Sequence, residues 1–155
     1  MAVEIERKFL IDIAKWDNSG KGVKHFYRQG YILATPEKTI RVRVTDEGGF
    51  ITIKGTTVGA SRLEYEYTIP RSDANELLEQ FCSSDVSKYR YTVLFADKAW
   101  EVDEFLGDNE GLVIAELELS SEEEEFEMPD WITEEVTGIE KYYNSSLSER
   151  PFKQW

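Results

Sequence analysis

The chain has 155 residues, a formal net charge of −13 and a single cysteine, Cys82. That length suits one domain, residues 1–155, with a core of its own. The acidic balance excludes non-specific nucleic-acid binding and docking on an anionic membrane, and one cysteine excludes an intrachain disulfide. Neither an apolar leader region nor a run of about 20 apolar residues occurs, so the expected location is cytoplasmic.

Taken in order, the chain predicts a first strand over Val3–Leu10. Glu4, Glu6 and Lys8 share one face, with Val3, Ile5, Arg7 and Phe9 on the other. Asp12–Gly22 reads as a loop with a helical turn around Ala14 and Trp16. Lys24–Leu33 is a second strand, on which Gln29 and Tyr31 share a face, and Pro36 ends it. Thr39–Thr45 alternates Arg41 and Arg43 against Ile40, Val42 and Val44. The turn at Asp46–Gly49 returns the chain as Phe50–Thr56, with Thr52 and Lys54 opposed to Ile51 and Ile53. After a small-residue loop, Arg62–Ile69 places Arg62, Glu64 and Glu66 opposite Leu63, Tyr65 and Tyr67.

Ser72 is the expected N-cap of a helix over Asp73–Phe81. Ser87–Phe95 and Lys98–Leu106 form a hairpin about Ala96-Asp97. Lys88 pairs in parity with Arg90, and Glu101 with Asp103. Leu112–Leu119 is the eighth strand, carrying Glu116 and Glu118. The run Glu122–Glu125 reads as a helix start and Pro129 as its stop. A last helix is expected over Gly138–Leu147, carrying Lys141 and Asn144.

Eight short-connected strands suit a small closed antiparallel barrel with helices outside, an α+β architecture. Parity alone leaves two arrangements. The charged face is either the wet outside of a sandwich or the inside of a barrel. In the second arrangement, converging arginine and lysine side chains match a polyphosphate. Clustered carboxylates without histidine match a hard divalent cation. The two together describe metal-dependent phosphoryl transfer.

The ordered set Glu4-x-Glu6-x-Lys8, Arg41-x-Arg43, Lys54, Glu64-x-Glu66, Lys88-x-Arg90, Asp103, Glu116-x-Glu118 and Lys141 resembles the CYTH superfamily, the triphosphate tunnel metalloenzymes. The resemblance spans essentially the whole chain. It implies an eight-stranded antiparallel tunnel with helices outside, and hydrolysis of a triphosphate with Mg²⁺ or Mn²⁺. Lys8, Arg41, Arg43, Lys54, Lys88 and Arg90 would grip phosphates. Glu4, Glu6, Glu116 and Glu118 would hold the main metal. Asp103, Glu64 and Glu66 would serve a second metal or orient the attacking water. Lys141 would reach the tunnel mouth from a C-terminal plug.

His25-Phe26 stands on the second strand rather than ahead of Glu4. The chain therefore resembles the bacterial inorganic triphosphatases more than the family's adenylyl cyclases. Inorganic tripolyphosphate is the expected substrate, free to enter an open tunnel from either end. Nucleoside or thiamine triphosphate, cyclase chemistry and non-catalytic polyphosphate binding are the alternatives. The expected partner is this small molecule, with no nucleic acid and no membrane, and the chain acts as a monomer or homodimer. His25 is read as a surface or packing residue and Cys82 as structural, while Arg62, tunnel-facing by parity but at a strand end, is read as either a rim salt bridge or a substrate contact.

Overall fold

The computed structural model describes residues 2–155. The strands are β1 (Val3–Ile11), β2 (Lys24–Ala34), β3 (Thr39–Thr45), β4 (Gly48–Lys54), β5 (Ser61–Ile69), β6 (Asp85–Phe95), β7 (Lys98–Phe105), β8 (Val113–Glu118) and β9 (Ile132–Glu135). The helices are α1 (Ile13–Asp17), α2 (Arg71–Phe81) and α3 (Asn144–Glu149). Neighbouring strands run β5-β4-β3-β2-β6-β7-β8-β1, and β1 returns to β5, so the eight close into a barrel. All of these pairings are antiparallel.

β1 closes the barrel by dividing its length. Glu6–Leu10 pair with β8 on one edge, and Val3–Ile5 pair with β5 on the other. Beyond the end of β5, β9 covers the same edge of β1 at Phe9 and Ile11. This ninth strand was not legible in the sequence, because four residues reading Ile-Thr-Glu-Glu are too short to display an alternation.

Alternation sends one face of every barrel strand outward. Phe9, Tyr91, Trp100, Val102, Ala115 and Leu117 form an outer core that Trp16 of α1 and Trp131 cover. Trp16 meets Tyr91 and Trp131 edge-on at centroid distances of 5.4 and 5.0 Å, the arrangement aromatic quadrupoles favour. On the other flank α2 lays Ala74 and Leu78 against Val42. Glycine makes that approach possible, since a Cβ on Gly49 would lie 2.7 Å from the Cβ of Ala74.

Three local expectations are corrected. α2 begins at Arg71 with Pro70 as its N-cap, because Pro70 fixes the entering dihedral and its carbonyl accepts from Ala74 N at 3.0 Å; Ser72 lies inside the helix. The Glu122–Glu125 run starts no helix. Adjacent like charges disfavour one, and the carboxylates serve as caps instead. Glu124 accepts from the backbone of Ser120 at 2.7 Å and pairs with Lys98, while Glu122 accepts from Ala60 N at 2.7 Å.

The third correction concerns the C-terminus. Gly138 takes a positive φ of 79°, a short 3₁₀ turn spans Glu140–Tyr142, and Tyr143 is extended before α3 begins. That break redirects the chain into one end of the barrel. Leu147 of α3 packs there against Val86, Phe105, Leu112 and Ile114, three of which point inward from β6, β7 and β8. The barrel is therefore filled at that end, and the expected tunnel open at both ends is replaced by a cavity stoppered by α3.

Gly49→Ala should lower stability by about 1–3 kcal/mol in chemical denaturation, because the added methyl also meets the backbone carbonyls of Ile69 and Pro70 at 3.0 and 3.1 Å, and backbone does not yield.

Candidate active site

The inward faces surround a cavity of about 230 Å³. Glu4, Glu6 and Lys8 reach it from β1, Arg41 and Arg43 from β3, and Lys54 from β4. Glu64 and Glu66 come from β5, Lys88 and Arg90 from β6, Glu101 from β7, and Glu116 and Glu118 from β8. Strand parity thus brings together every charged strand residue singled out in the sequence except Asp103. Arg62 lines the cavity as well, and its Nε donates to Glu4 at 3.3 Å.

Two expected roles need correction. Asp103 is fully buried and lies behind the lining. Its carboxylate accepts from Arg90 at 2.7 and 2.8 Å and from Lys88 at 2.7 Å, so it orients these two bases from behind and does not face the cavity. Lys141 is exposed on the 3₁₀ turn, its ammonium 4.5 Å above the ring of Trp155. The break at Tyr143 puts Tyr143, Asn144 and Ser145 at the cavity in its place.

Tyr27, Gln29 and Tyr31 add a neutral strip from β2. Their spacing of two was the available signal. Arg43 rests 4.9 Å from the Tyr27 ring and Arg90 5.2 Å from the same ring, a cationic sandwich on one aromatic. Asn144 carried no such signal, since it belongs to the plug.

The ion pairs inside are incomplete in an orderly way. Lys8 meets Glu116 at 2.9 Å, Lys54 meets Glu4 and Glu64 at 3.1 Å, and Arg41 meets Glu66 at 3.3 Å. Among the described residues, Arg43 has no carboxylate partner, and its Nε donates to Gln29 at 3.0 Å. The Nε of Arg41 is buried and donates to nothing. An unmade hydrogen bond on a buried cation is costly, so these groups are set for an anion.

The proton equilibria divide the same way. Burial, reinforced by Arg41 and Arg90, pulls Arg43 down to about 10. Burial with Arg90 and Arg43 nearby pulls Lys88 down to about 7, against the attraction of Asp103. Burial and Arg41 also lower Lys54. Arg43 meets no carboxylate among the described residues, and the carboxylates beside Lys88 and Lys54 do not offset their burial among other cations.

On the acidic side, burial and then Glu116 push Glu6 up to about 8. Burial, then Glu4 and Glu101, raise Glu118. Burial and Glu4 raise Glu64. Lys8 at 3.6 Å from Glu6 and Lys54 at 3.1 Å from Glu64 do not offset the burial of these glutamates among other acids. Others are satisfied within the fold. Burial would raise Glu4, but Lys54 and Arg62 hold it down to about 2. Burial would also raise Glu116, but Lys8, Arg90 and Lys88 hold it well below the carboxylate range.

Among the described residues no three acidic, histidine or cysteine side chains already form a metal cage. The donor set nevertheless fits a hard cation: oxygen ligands only, with Glu6 and Glu118 short of positive charge and adjacent on paired strands. Glu4 and Glu116 would join them by exchanging Lys54 and Lys8 for the ion.

Fold and cavity together define a closed antiparallel β-barrel with a mostly charged interior chamber. The CYTH domain family model matches residues 2–151, and the chain belongs to that family. An inorganic triphosphatase of Acetivibrio thermocellus is 51% identical over 156 residues, covering 100% of this chain and 99% of that one. The crystal structure of the inorganic triphosphatase NE1496 matches with a TM-score of 0.62 at 30% identity, over 96% of this chain and 95% of that one. The PH1012 protein from Pyrococcus horikoshii shares the fold, with a TM-score of 0.57 at 20% identity over 76% of this chain and 80% of that one.

Glu6 also makes a prediction about stability. Its carboxyl holds its proton to about 8 in the fold and to about 4.5 when unfolded, so its favourable contribution is complete below pH 4.5 and lost as the pH rises through 8. Metal-free Glu6→Gln should therefore melt at a higher temperature than the wild type at pH 8–9, with the gap closing near pH 5; equal melting at both pH values would contradict the stated environment.

Asp103→Ala strands Lys88 and Arg90 and should lose about 3–5 kcal/mol of folding stability in denaturant titration. Glu66→Ala, whose side chain is 40% exposed, should lose less than about 1 kcal/mol by the same measurement.

Proposed function

We propose that the protein is a metal-dependent inorganic triphosphatase, hydrolysing tripolyphosphate to diphosphate and phosphate inside the barrel. One observation carries the reading: cations short of an anion and carboxylates short of a cation line the same cavity. A triphosphate with Mg²⁺ or Mn²⁺ supplies both. The identity to the Acetivibrio thermocellus enzyme supports the reading along the full length.

In this reading Arg41, Arg43, Lys54, Lys88, Arg90 and Lys8 hold the phosphate oxygens. Guanidinium forks suit them, because a charge-assisted bidentate contact fixes orientation as well as charge. Phosphate binding also restores full protonation to Lys88. Glu6 and Glu118, joined by Glu4 and Glu116, would hold the divalent ion, which supplies charge neutralisation on the phosphate oxygens. Glu64 and Glu66 would orient the attacking water. Burial, with Glu4 beside it, leaves Glu64 more basic than an ordinary glutamate, as a proton acceptor requires. Asp103 acts through Lys88 and Arg90. The chain would work as a monomer or homodimer in the cytoplasm.

Size favours the inorganic substrate. About 230 Å³ is small beside the roughly 300–1,000 Å³ of sites for drug-sized ligands, and most of the lining is charged. A nucleotide reading draws on a second cleft of about 510 Å³ outside the plugged end, which shares Thr39, Arg62, Tyr143 and Ser145 with the cavity. Its other walls are mostly threonine, serine and glycine, with Tyr143 as the only aromatic ring.

Phosphate release from tripolyphosphate, ATP and thiamine triphosphate, each with Mg²⁺, Mn²⁺ or EDTA, tests the assignment. Tripolyphosphate should show the highest kcat/KM, EDTA should abolish turnover, and Glu6→Gln should cost on the order of 10²-fold or more. A kcat/KM for ATP equal to or above that for tripolyphosphate would overturn it in favour of the nucleotide.

A further inference from the structure

The plug adds a neutral carboxamide, Asn144, to a mostly charged wall. Asn144 Oδ1 accepts from Lys88 Nζ at 2.9 Å and from Gln29 Nε2 at 3.3 Å. A lysine ammonium can only donate, so Oδ1 is the atom that faces it, and Gln29 Nε2, donating to the same oxygen, holds the carboxamide that way round. Gln29 is fixed by the same logic. Its Oε1 accepts from Arg43 Nε at 3.0 Å, and arginine can only donate, which leaves Nε2 to face Asn144 and the hydroxyl of Tyr31 at 3.1 Å. Donor-only groups at both ends thus set the direction of the whole chain from Arg43 through Gln29 to Asn144 and Lys88.

The consequence falls on Asn144 Nδ2. It has no acceptor among the described residues, it is not sealed in the protein, and Asn144 lines the cavity. The backbone that carries it is held firmly. Leu147 is fully buried at the barrel end, and Asn109 Nδ2 donates to the Leu147 carbonyl at 3.4 Å while Asn109 Oδ1 accepts from Phe152 N at 2.9 Å. Asn144 is the first residue of α3, and Tyr143 before it lies in stacking range of Arg62, with the guanidinium 6.0 Å from its ring.

We propose that Asn144 is a substrate-binding residue, donating its Nδ2–H to a phosphate oxygen bound between Lys88 and Arg43, and that Gln29 is a positioning residue that keeps this amide from flipping. This rests on the triphosphatase reading above and extends it to the C-terminal plug. The plug thereby contributes a neutral donor where a further cation would raise the repulsion already felt by Lys88 and Arg43.

The test uses full-length protein, ¹⁵N-labelled, in EDTA so that binding is read without turnover. The side-chain NH₂ pair of Asn144, identified by its disappearance in Asn144→Asp, should shift on addition of tripolyphosphate. Asn144→Asp keeps the acceptor for Lys88 and Gln29 but removes the donor, and should raise the Kd for tripolyphosphate and the KM roughly tenfold or more. Gln29→Leu frees the amide to rotate. It should raise KM with a smaller change in kcat, and Gln29→Glu, which retains an acceptor for Arg43 but no donor, should not rescue it. An Asn144 amide unmoved by saturating tripolyphosphate, or Asn144→Asp binding it like the wild type, would overturn the proposal. Wild-type turnover of tripolyphosphate with Mg²⁺ or Mn²⁺, measured alongside, separates the two readings. Its absence removes the substrate assignment, whereas an unmoved amide in an active enzyme removes only the role of Asn144.

Discussion

Every unusual feature of this molecule follows from turning the charged faces of eight strands inward. Burying like charges side by side costs free energy that no solvent repays, and the fold tolerates it only by pairing. Asp103 with Lys88 and Arg90, Glu116 with Lys8, and Glu4 with Lys54 and Arg62 are the pairs that make the interior habitable. What remains unsatisfied is what the site is for. Arg43 and the Nε of Arg41 want an anion, while Glu6, with Lys8 no nearer than 3.6 Å, and Glu118 want a cation.

Because the interior is polar, the stabilising apolar contacts had to move outside. Trp16, Trp100 and Trp131 with Phe9 build the main core on the outer wall of β1, β6, β7 and β8, and α2 builds a smaller one on β3 and β4. The division separates stability from chemistry. The outer packing holds the strands in register, and the register aims the inner residues. A strand shifted by one residue would exchange the two faces, which neither side could survive.

The plug adds a second tier of control. A barrel open at both ends would leave Lys88 and Gln29 with water as their remaining partner. α3 closes one end with Leu147 and offers Asn144 to both. The outer cleft beyond it meets the cavity at Arg62 and Tyr143, so the same few residues close the chamber and line its outside. The C-terminal segment is thus part of the site although it is remote from it in sequence.

The sequence by itself determined the strands, their parity and the charged set. Period-two alternation is a local property, and Glu4-x-Glu6-x-Lys8 or Arg41-x-Arg43 states it without reference to any neighbour. The ordered recurrence of these pairs was also enough to reveal the family. Only the tertiary structure decided which charges are satisfied. Asp103 and Glu101 have identical parity, yet the first is consumed by Lys88 and Arg90 while the second reaches the cavity. Lys141 lay in a stretch that reads as continuous helix, and the break at Tyr143 that carries it to the surface and brings Asn144 inward comes from packing Leu147 into the barrel end. Local pattern says which way a strand residue points, but pairing depends on distances between residues far apart in the chain, and these exist only once the barrel has closed.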